Sequence, residues 1–290
     1  MTPNTRQSDR PSQPAAGPLF HIAFYQFVEL KDPDVVVARL RELTRHLLGS
    51  ILVAREGING VLAGEAPALD AFQQALLDDP CFDHCFAGIV FKRSACITRP
   101  FGRIKVHKKK EIVALGVAGV SPVNANASNP AGINVSPQEW RKLIAEDDVV
   151  VLDNRNSFEY RLGKFKSAID PQVANFRDFP QYIADHAPAW QAAGKRVAMY
   201  CTGGIRCEKT SAVLHDLGIA VYQLDGGILN YFQSIPDAER DWEGECFVFD
   251  NRIALNTRLQ ETDTTLEQVY EGDPDGEWRL QRARRLDAAG

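Results

Sequence analysis

Apolar and polar residues alternate through "FHIAFYQFV" (Phe20–Val28), the pattern of a half-buried strand. An Asp-Pro start signal then opens a stretch with helical apolar spacing, which predicts a helix over Asp32–Leu48. Ser50–Ala63 reads as two strands around "REGING", where Gly57 and Gly60 can supply the angles of a tight hairpin. Helical spacing returns over Glu65–Asp79, and "FAGIVFKRS" and "GRIKVHKKKEIVALG" supply further strands. The order is β-α-β-β-α-β with one additional strand.

That order fits a ferredoxin-like (acylphosphatase-like) α+β unit over residues 19–119. The pattern then lapses. Residues 120–137, "VSPVNANASNPAGINVSP", are rich in Asn, Pro, Gly and Ser and read as a linker. Ser136, Pro137 and Glu139 cap a helix through Ala145, after which "VVVLDNR", "RVAMYC" and "AVYQL" are continuous apolar strands separated by helical stretches. Such alternation predicts an open, mostly parallel α/β sheet over 138–240, followed by an extension over 241–290. Residues 1–18 hold four prolines and no apolar run, and are expected to be a disordered tail rather than a signal peptide. No stretch is long and apolar enough for a transmembrane helix, so no membrane association is expected.

Charge changes this picture. The chain of 290 residues carries a net −5, but residues 19–119 carry +2 and residues 120–290 carry −8. Lys92 to Lys110 contains Lys92, Arg93, Arg99, Arg103, Lys105, Lys108, Lys109 and Lys110 and no acid. A basic run on an acidic chain suits a polyanion, although a solvated strand face would look the same. Six cysteines in a chain of this length look like reduced thiols, which points to the cytoplasm.

One thiol has chemistry around it. In "CTGGIRC", Cys201 stands at the predicted end of a strand, followed by Thr202, Gly203, Gly204, Ile205, Arg206 and Cys207 where a helix begins. Chemistry in open α/β sheets gathers at the carboxyl ends of strands. Loop amides backed by a helix N-terminus form an anion nest that favours a thiolate. Arg206 can hold the loop's shape or an anionic partner. Cys207 can either resolve an oxidised Cys201 or simply pack in the first helical turn. Cys81, Cys85 and Cys96 have no metal-ligand spacing, the histidines form no H-x-D or H-x-E pair, and there is no G-x-G-x-x-G. Neither a metal site nor an organic cofactor is evident.

The Cys-x4-Arg spacing is shorter than the Cys-x5-Arg cradle of cysteine phosphatases and resembles the loop of rhodanese domains. "DNRNSFEYRLGKF" (153–165) and "LDGGILNY" (224–231) resemble two further rhodanese segments in the same order. Together with "FYQFVEL", "REGINGVLAG", "CTGGIRCEK", "YQLDGGILNY" and "GECFVFDNR", they make the chain similar to the bacterial tRNA uridine(34) hydroxylase family of rhodanese-domain proteins. The resemblance implies a rhodanese-like catalytic domain at 138–240. It also implies oxidation of the wobble uridine of tRNA to 5-hydroxyuridine, with Cys201 as catalytic residue, molecular oxygen as co-substrate and no reductant identified. The expected partner is the tRNA anticodon loop, with no protein partner evident. Asp153 and Arg155 are expected to brace the cysteine loop. Arg55, Asn59, Arg99, Arg103, Lys105, Lys108, Lys109 and Lys110 are the candidates for RNA contact. A cysteine-rich segment expected after "CFVFD" is missing, since no cysteine follows Cys246, and any metal site it would build is missing with it.

Two other function classes use the same residues. A plain sulfurtransferase would pass persulfide sulfur from Cys201 to a small or RNA acceptor and would gain little from a basic accessory domain. A non-catalytic RNA-binding module would not need the cysteine this chain keeps. Cys201 can act in hydroxylation as a nucleophile toward C6 of uracil or as the carrier of a persulfide.

Overall fold

Strand β1 (Leu19–Phe27) lies near the centre of a five-stranded sheet built with β2 (Leu48–Ala54), β3 (Gly57–Glu65), β4 (Val90–Cys96) and β5 (Ile104–Lys108). The order is β4-β1-β3-β2-β5, with β5 parallel to β2 and every other pairing antiparallel. This computed structural model describes residues 18–117, 120, 122 and 132–288. The expected N-terminal tail, apart from Pro18, and most of the expected linker lie outside the described residues.

Helices α1 (Pro33–Leu43) and α2 (Ala66–Asp78) cover one face of this sheet, where Ile22, Phe24, Ile51, Val53, Ile58 and Leu62 pack on Val36, Leu40, Leu69, Phe72 and Leu76. The alternation that buries this set turns the intervening residues to the opposite face. The pairings Tyr25↔Asn59, Ala23↔Lys92 and Leu52↔Asn59 place those side chains together there. Neither helix covers that face. It meets the second domain instead.

Helix α1 is shorter than its pattern suggested. Asp32 caps its start by accepting the amides of Asp34 and Val35, but Thr44 hydrogen-bonds back to the Leu40 carbonyl, and the Leu47 amide closes a turn on Thr44. The Leu40 carbonyl also accepts the Thr44 amide, so the backbone and the side chain of Thr44 both close the last turn on it. The hairpin turn is also tighter than "REGING". Only Arg55 and Glu56 connect β2 to β3, and Gly57 (φ 133°) is already in the ladder, where a Cβ would lie 2.0 Å from the Gln26 carbonyl oxygen.

The second domain contains β6 (Ile133–Val135), α3 (Pro137–Leu143), β7 (Val149–Asp153), α4 (Ser157–Leu162), β8 (Gly163–Phe165), α5 (Phe179–Ala192), β9 (Arg196–Tyr200), α6 (Ile205–Asp216), β10 (Val221–Leu224) and α7 (Gly227–Ser234). A parallel sheet runs β6-β10-β9-β7. One side packs Leu152, Val197, Met199 and Val221 against Ile183 and Leu214, and the other packs Val151, Ala198, Tyr200 and Leu224 against Trp140 and Tyr231. Residues 133–135, placed in the linker by composition, are corrected to an edge strand, since β6 pairs with β10. Three residues in an Asn- and Gly-rich stretch are too few to show a period.

Residues beyond 241 fasten onto both domains. Strand β11 (Trp242–Gly244) pairs with β8, while β12 (Cys246–Phe247) and β13 (Ala254–Leu255) form a small hairpin. The Glu261 carboxylate accepts the amides of Ile97 and Thr98, and the Asn251 amide donates to the Pro100 carbonyl, both in the first domain. Short α8 (Leu266–Val269) and α9 (Gly276–Ala288) follow.

Candidate active site

Cys201 follows β9 directly, at the carboxyl end of an interior strand, and α6 begins four residues later. Its Sγ accepts the Gly204 amide at 3.1 Å. Of the two loop glycines only Gly204 has a left-handed φ (105°), and a Cβ there would lie 2.9 Å from the Tyr25 hydroxyl; around Gly203 the space is open. A second glycine pair holds the loop from behind. The amides of Ile228 and Leu229 donate to the carbonyls of Cys201 (3.0 Å) and Thr202 (3.3 Å), and a Cβ on Gly227 would sit 2.5 Å from the Cys201 carbonyl oxygen. The segment "LDGGILNY" therefore fixes the curvature of "CTGGIRC" through its backbone.

Cys201 is 1% exposed. Burial pushes its thiol up, but the hydrogen bond from the Cys207 thiol, the Arg206 charge and the amides of Cys207 and Gly204 outweigh it and hold Cys201 well below an ordinary thiol. Cys207 moves the opposite way: burial raises it, and the hydrogen bond to Cys201 and the charge there raise it further. Of the two thiols, Cys201 is the more acidic and Cys207 the less. Arg206 is fixed by Glu159 of α4, whose oxygens accept Nη1 and Nη2 at 2.7 and 2.8 Å, and by Thr202 Oγ1 at 3.3 Å. Burial would raise Glu159, yet the Arg206 charge keeps it below its usual value.

Asp153 and Arg155 pair with each other through bonds of 2.8 and 2.6 Å, and Arg155 also donates to the Gly163 carbonyl. The Tyr200 hydroxyl donates to Asp153 at 2.6 Å. This buried group supports the strand that carries Cys201, whereas Glu159 reaches the loop itself. By sequence Glu159 reads as structural. Its place three residues after Asn156 explains a helix start equally well, because its carboxylate also accepts the Asn156 amide.

The first domain supplies part of the site. Lys92 of β4 donates from Nζ to the carbonyls of Gly203 (2.5 Å) and Gly226 (2.9 Å), one from each glycine segment. Tyr25 of β1 hydrogen-bonds Glu208 of α6, and burial raises Glu208 above the usual carboxylate range. Further along α6, Lys209 is fully buried and donates to Glu56 in the β2–β3 turn (2.8 and 2.9 Å), to Glu111 (2.6 Å) and to the Val113 carbonyl. Sequence reasoning gives these residues no place in the site, although Tyr25 lies in "FYQFVEL", Glu56 in "REGINGVLAG" and Lys209 in "CTGGIRCEK".

Between the domains lies a cavity of about 1300 Å³, with Cys201, Thr202, Gly203, Ile205 and Arg206 along one wall and Tyr25, Asn59 and Lys92 along the other. Asn59 alone among the RNA candidates lines it, its amide nitrogen donating to the Ile112 carbonyl. Arg55, Arg99, Arg103, Lys109 and Lys110 are exposed elsewhere, Arg99 on the carbonyls of Phe101 and Gly102, and Lys108 pairs with Asp34 of α1 at 2.5 Å. The basic run is divided. Lys92 and Arg93 belong to one edge strand and Lys105 and Lys108 to the opposite one, about 19 Å away at the usual strand spacing. Among the described residues no group of three or more His, Cys, Asp or Glu side chains is gathered as a metal site requires, and no helix is long and apolar enough to cross a membrane.

Comparison with known proteins follows the same division. Residues 20–112 match the UPF0176 acylphosphatase like domain, and residues 136–234 match the rhodanese-like domain. A tRNA uridine(34) hydroxylase of Legionella pneumophila (strain Corby) is 42% identical over 253 residues, covering 86% of this chain and 94% of the relative. A protein of the same name from Acinetobacter baumannii (strain AYE) is 44% identical, covering 82% of this chain and 73% of the relative. One from Bartonella bacilliformis (strain ATCC 35685 / KC583 / Herrer 020/F12,63) is 41% identical, covering 83% and 76%. With the cysteine loop, its glycine support and both domains present in one chain, this protein belongs to the tRNA uridine(34) hydroxylase family.

Proposed function

We propose that this protein oxidises the wobble uridine of tRNA to 5-hydroxyuridine in the cytoplasm, with molecular oxygen as co-substrate, at the cleft between its two domains. Family membership supplies the substrate class. The observation that carries the chemistry is a buried thiol, held well below an ordinary thiol by the Gly204 amide and the Arg206 charge, in the wall of a cavity of about 1300 Å³, ample for a nucleotide base. Conversion of C5–H to C5–OH takes one oxygen atom into the product and reduces the other to water with two electrons and two protons from an external donor.

Uracil C5 must become electron-rich before it meets an oxidant. Addition of the Cys201 thiolate to C6 does this, because the adduct is an enolate with its nucleophilic carbon at C5. An anticodon base is single-stranded, so turning it into the cleft costs little. The persulfide reading is favoured by a different observation. Cys201 is almost wholly buried, and a second sulfur atom would extend its reach from the loop floor toward the cavity.

Nucleoside mass spectrometry of tRNA incubated with the protein and a thiol reductant, in air and in nitrogen, tests the activity. The expected product is 5-hydroxyuridine in air only, and none with Cys201→Ser in either atmosphere, because a serine hydroxyl does not ionise here. Product in nitrogen, or full activity of the serine variant, would remove oxygen or Cys201 from the reaction. RNA carrying 5-fluorouridine at position 34 separates the two chemistries. A covalent protein–RNA species supports the C6 adduct, whereas loss of activity on cyanide treatment without such a species supports the persulfide.

A further inference from the structure

Phe249 is an aromatic side chain left 62% exposed at the wall of the cleft. An exposed phenylalanine is common by itself. Its mounting is not. Its ring stands edge-on to Phe247 at 4.9 Å, and Phe247 packs in turn on buried Phe158 of α4 at 5.2 Å. The turn that carries it is closed by the Val248 amide on the Ile253 carbonyl and by the Asp250–Arg252 pair, at 2.8 and 2.7 Å. Ile253 takes a left-handed φ of 63°, a conformation a β-branched residue adopts only when its surroundings compel it. The ring is therefore held with little freedom to lose on binding.

Its surroundings point to one ligand class. The Arg206 guanidinium lies over the Phe249 ring, 5.9 Å from its centre, which sets the ring beside the cysteine loop. The cleft also contains Val90 of the first domain, 67% exposed. Its carboxylates are Glu208, Asp225 and Asp250, which oppose a phosphate inside, while Arg206 and Arg252 are paired with Glu159 and Asp250, Arg93 with Asp70, and Lys92 is held on the Gly203 and Gly226 carbonyls. Arg177 lines the same cleft, is exposed, and makes no ion pair or hydrogen bond among the described residues. A flat, uncharged base fits the interior and its phosphate fits the rim.

We propose that Phe249 is the platform on which an unpaired pyrimidine base of the RNA substrate stacks, with Arg177 holding the adjoining phosphate. This rests on the cleft being where the wobble uridine is oxidised. Stacking on an aromatic ring is sequence-tolerant and gives much of its affinity through one contact.

The test is a cycle of two proteins and two RNAs: wild type and Phe249→Ala, each titrated with an anticodon stem–loop bearing uridine or an abasic residue at position 34. Phe249→Ala is expected to weaken uridine RNA by roughly fivefold or more and the abasic RNA hardly at all. Phe249→Trp should restore binding. Arg177→Gln should weaken both RNAs alike and lower the salt dependence. Iodoacetamide labelling of Cys201 should be unchanged in Phe249→Ala, showing that the loop is undisturbed. Equal losses on the two RNAs, no loss on either, or failure of wild type to bind would overturn the proposal. A wild-type protein that shows the coupling yet makes no 5-hydroxyuridine would overturn the activity and leave the platform standing.

Discussion

Lys92 and Lys108 stand in one acid-free run of sequence, yet they belong to opposite edges of one sheet and to different physical situations. Lys92 is turned to the helix-free face, where the second domain covers it, and its ammonium spans two glycine carbonyls of the catalytic loops. Burial lowers its pKa, with Cys201, Asp225 and Glu208 opposing that shift. Lys108 is exposed on the helix side, beside Asp34. An exposed pair of this kind contributes about 0 to 1 kcal/mol, whereas a charged hydrogen bond inside a protein contributes about 1.5 to 3. Similar side chains in one charge run thus have different tasks, and the sheet pairing decides which.

If the cleft edge is part of the active site, Lys92→Met has the larger effect. Methionine keeps most of the apolar length but leaves two half-buried carbonyls without this donor and the loop free to shift. We expect kcat to fall by about 100-fold, since two charge-assisted bonds are lost and about 2.7 kcal/mol of positioning corresponds to that factor. Lys92→Arg should recover part of it. Single-turnover rates, with thermal melting as the control for folding, measure this. An unchanged rate would leave Lys92 as domain glue alone.

How much of this could be read beforehand depended on whether the signal was local. The strand that ends at Cys201, the short loop and the following helix are contiguous, so the hydrophobic pattern and the Cys-x4-Arg spacing located them together. The order of the first domain was equally legible, because Ile22, Phe24, Ile51 and Val53 keep a strict period of two. The partners of the loop were not. Glu159 is 47 residues from Arg206, Lys92 is 111 from Gly203, and Glu56 is 153 from Lys209. A carboxylate in the first turn of a helix and a lysine on a strand each have an ordinary local explanation, and only the packing of two domains shows the other. Charge density along the chain is silent on this for the same reason, because it does not record which edge of a sheet a strand occupies.

A pH measurement sharpens the contrast next. Because Cys201 is held well below an ordinary thiol, its alkylation should persist below the usual thiol range and disappear only as pH falls through the depressed value. Removing a cation raises that value, so reactivity at a given pH below the new midpoint falls. The double variant Arg206→Leu, Glu159→Gln removes the nearest charge without leaving its buried carboxylate unpaired, and should move the labelling midpoint upward. Lys92→Met should move it in the same direction by less. Iodoacetamide rates from acid to alkaline pH give the order. A midpoint unmoved in both variants would assign the low value to the amides and Cys207 alone.

The smallest effect is expected at the far edge. Changing Lys108, Lys109 and Lys110 together to Gln removes three exposed charges, none of which lines the cleft, so kcat and the Cys201 labelling profile should stay as in wild type. Whatever these lysines do for RNA they do by pairing with backbone phosphates and releasing counterions. Each phosphate left unneutralised lowers the slope of log affinity against log salt by about 0.7 to 0.9. The expected result is a higher KM for tRNA at moderate salt, a flatter salt dependence and unchanged turnover at saturating tRNA. A short anticodon stem–loop should be less affected than full-length tRNA, because β5 lies about 19 Å across the sheet from β4 and Lys92, and a longer RNA spans both edges more readily. A fall in kcat would show that the two edges act together. An unaltered affinity and salt slope would place the phosphate pairing on other basic residues, of which Arg177 at the cleft rim is the first to try.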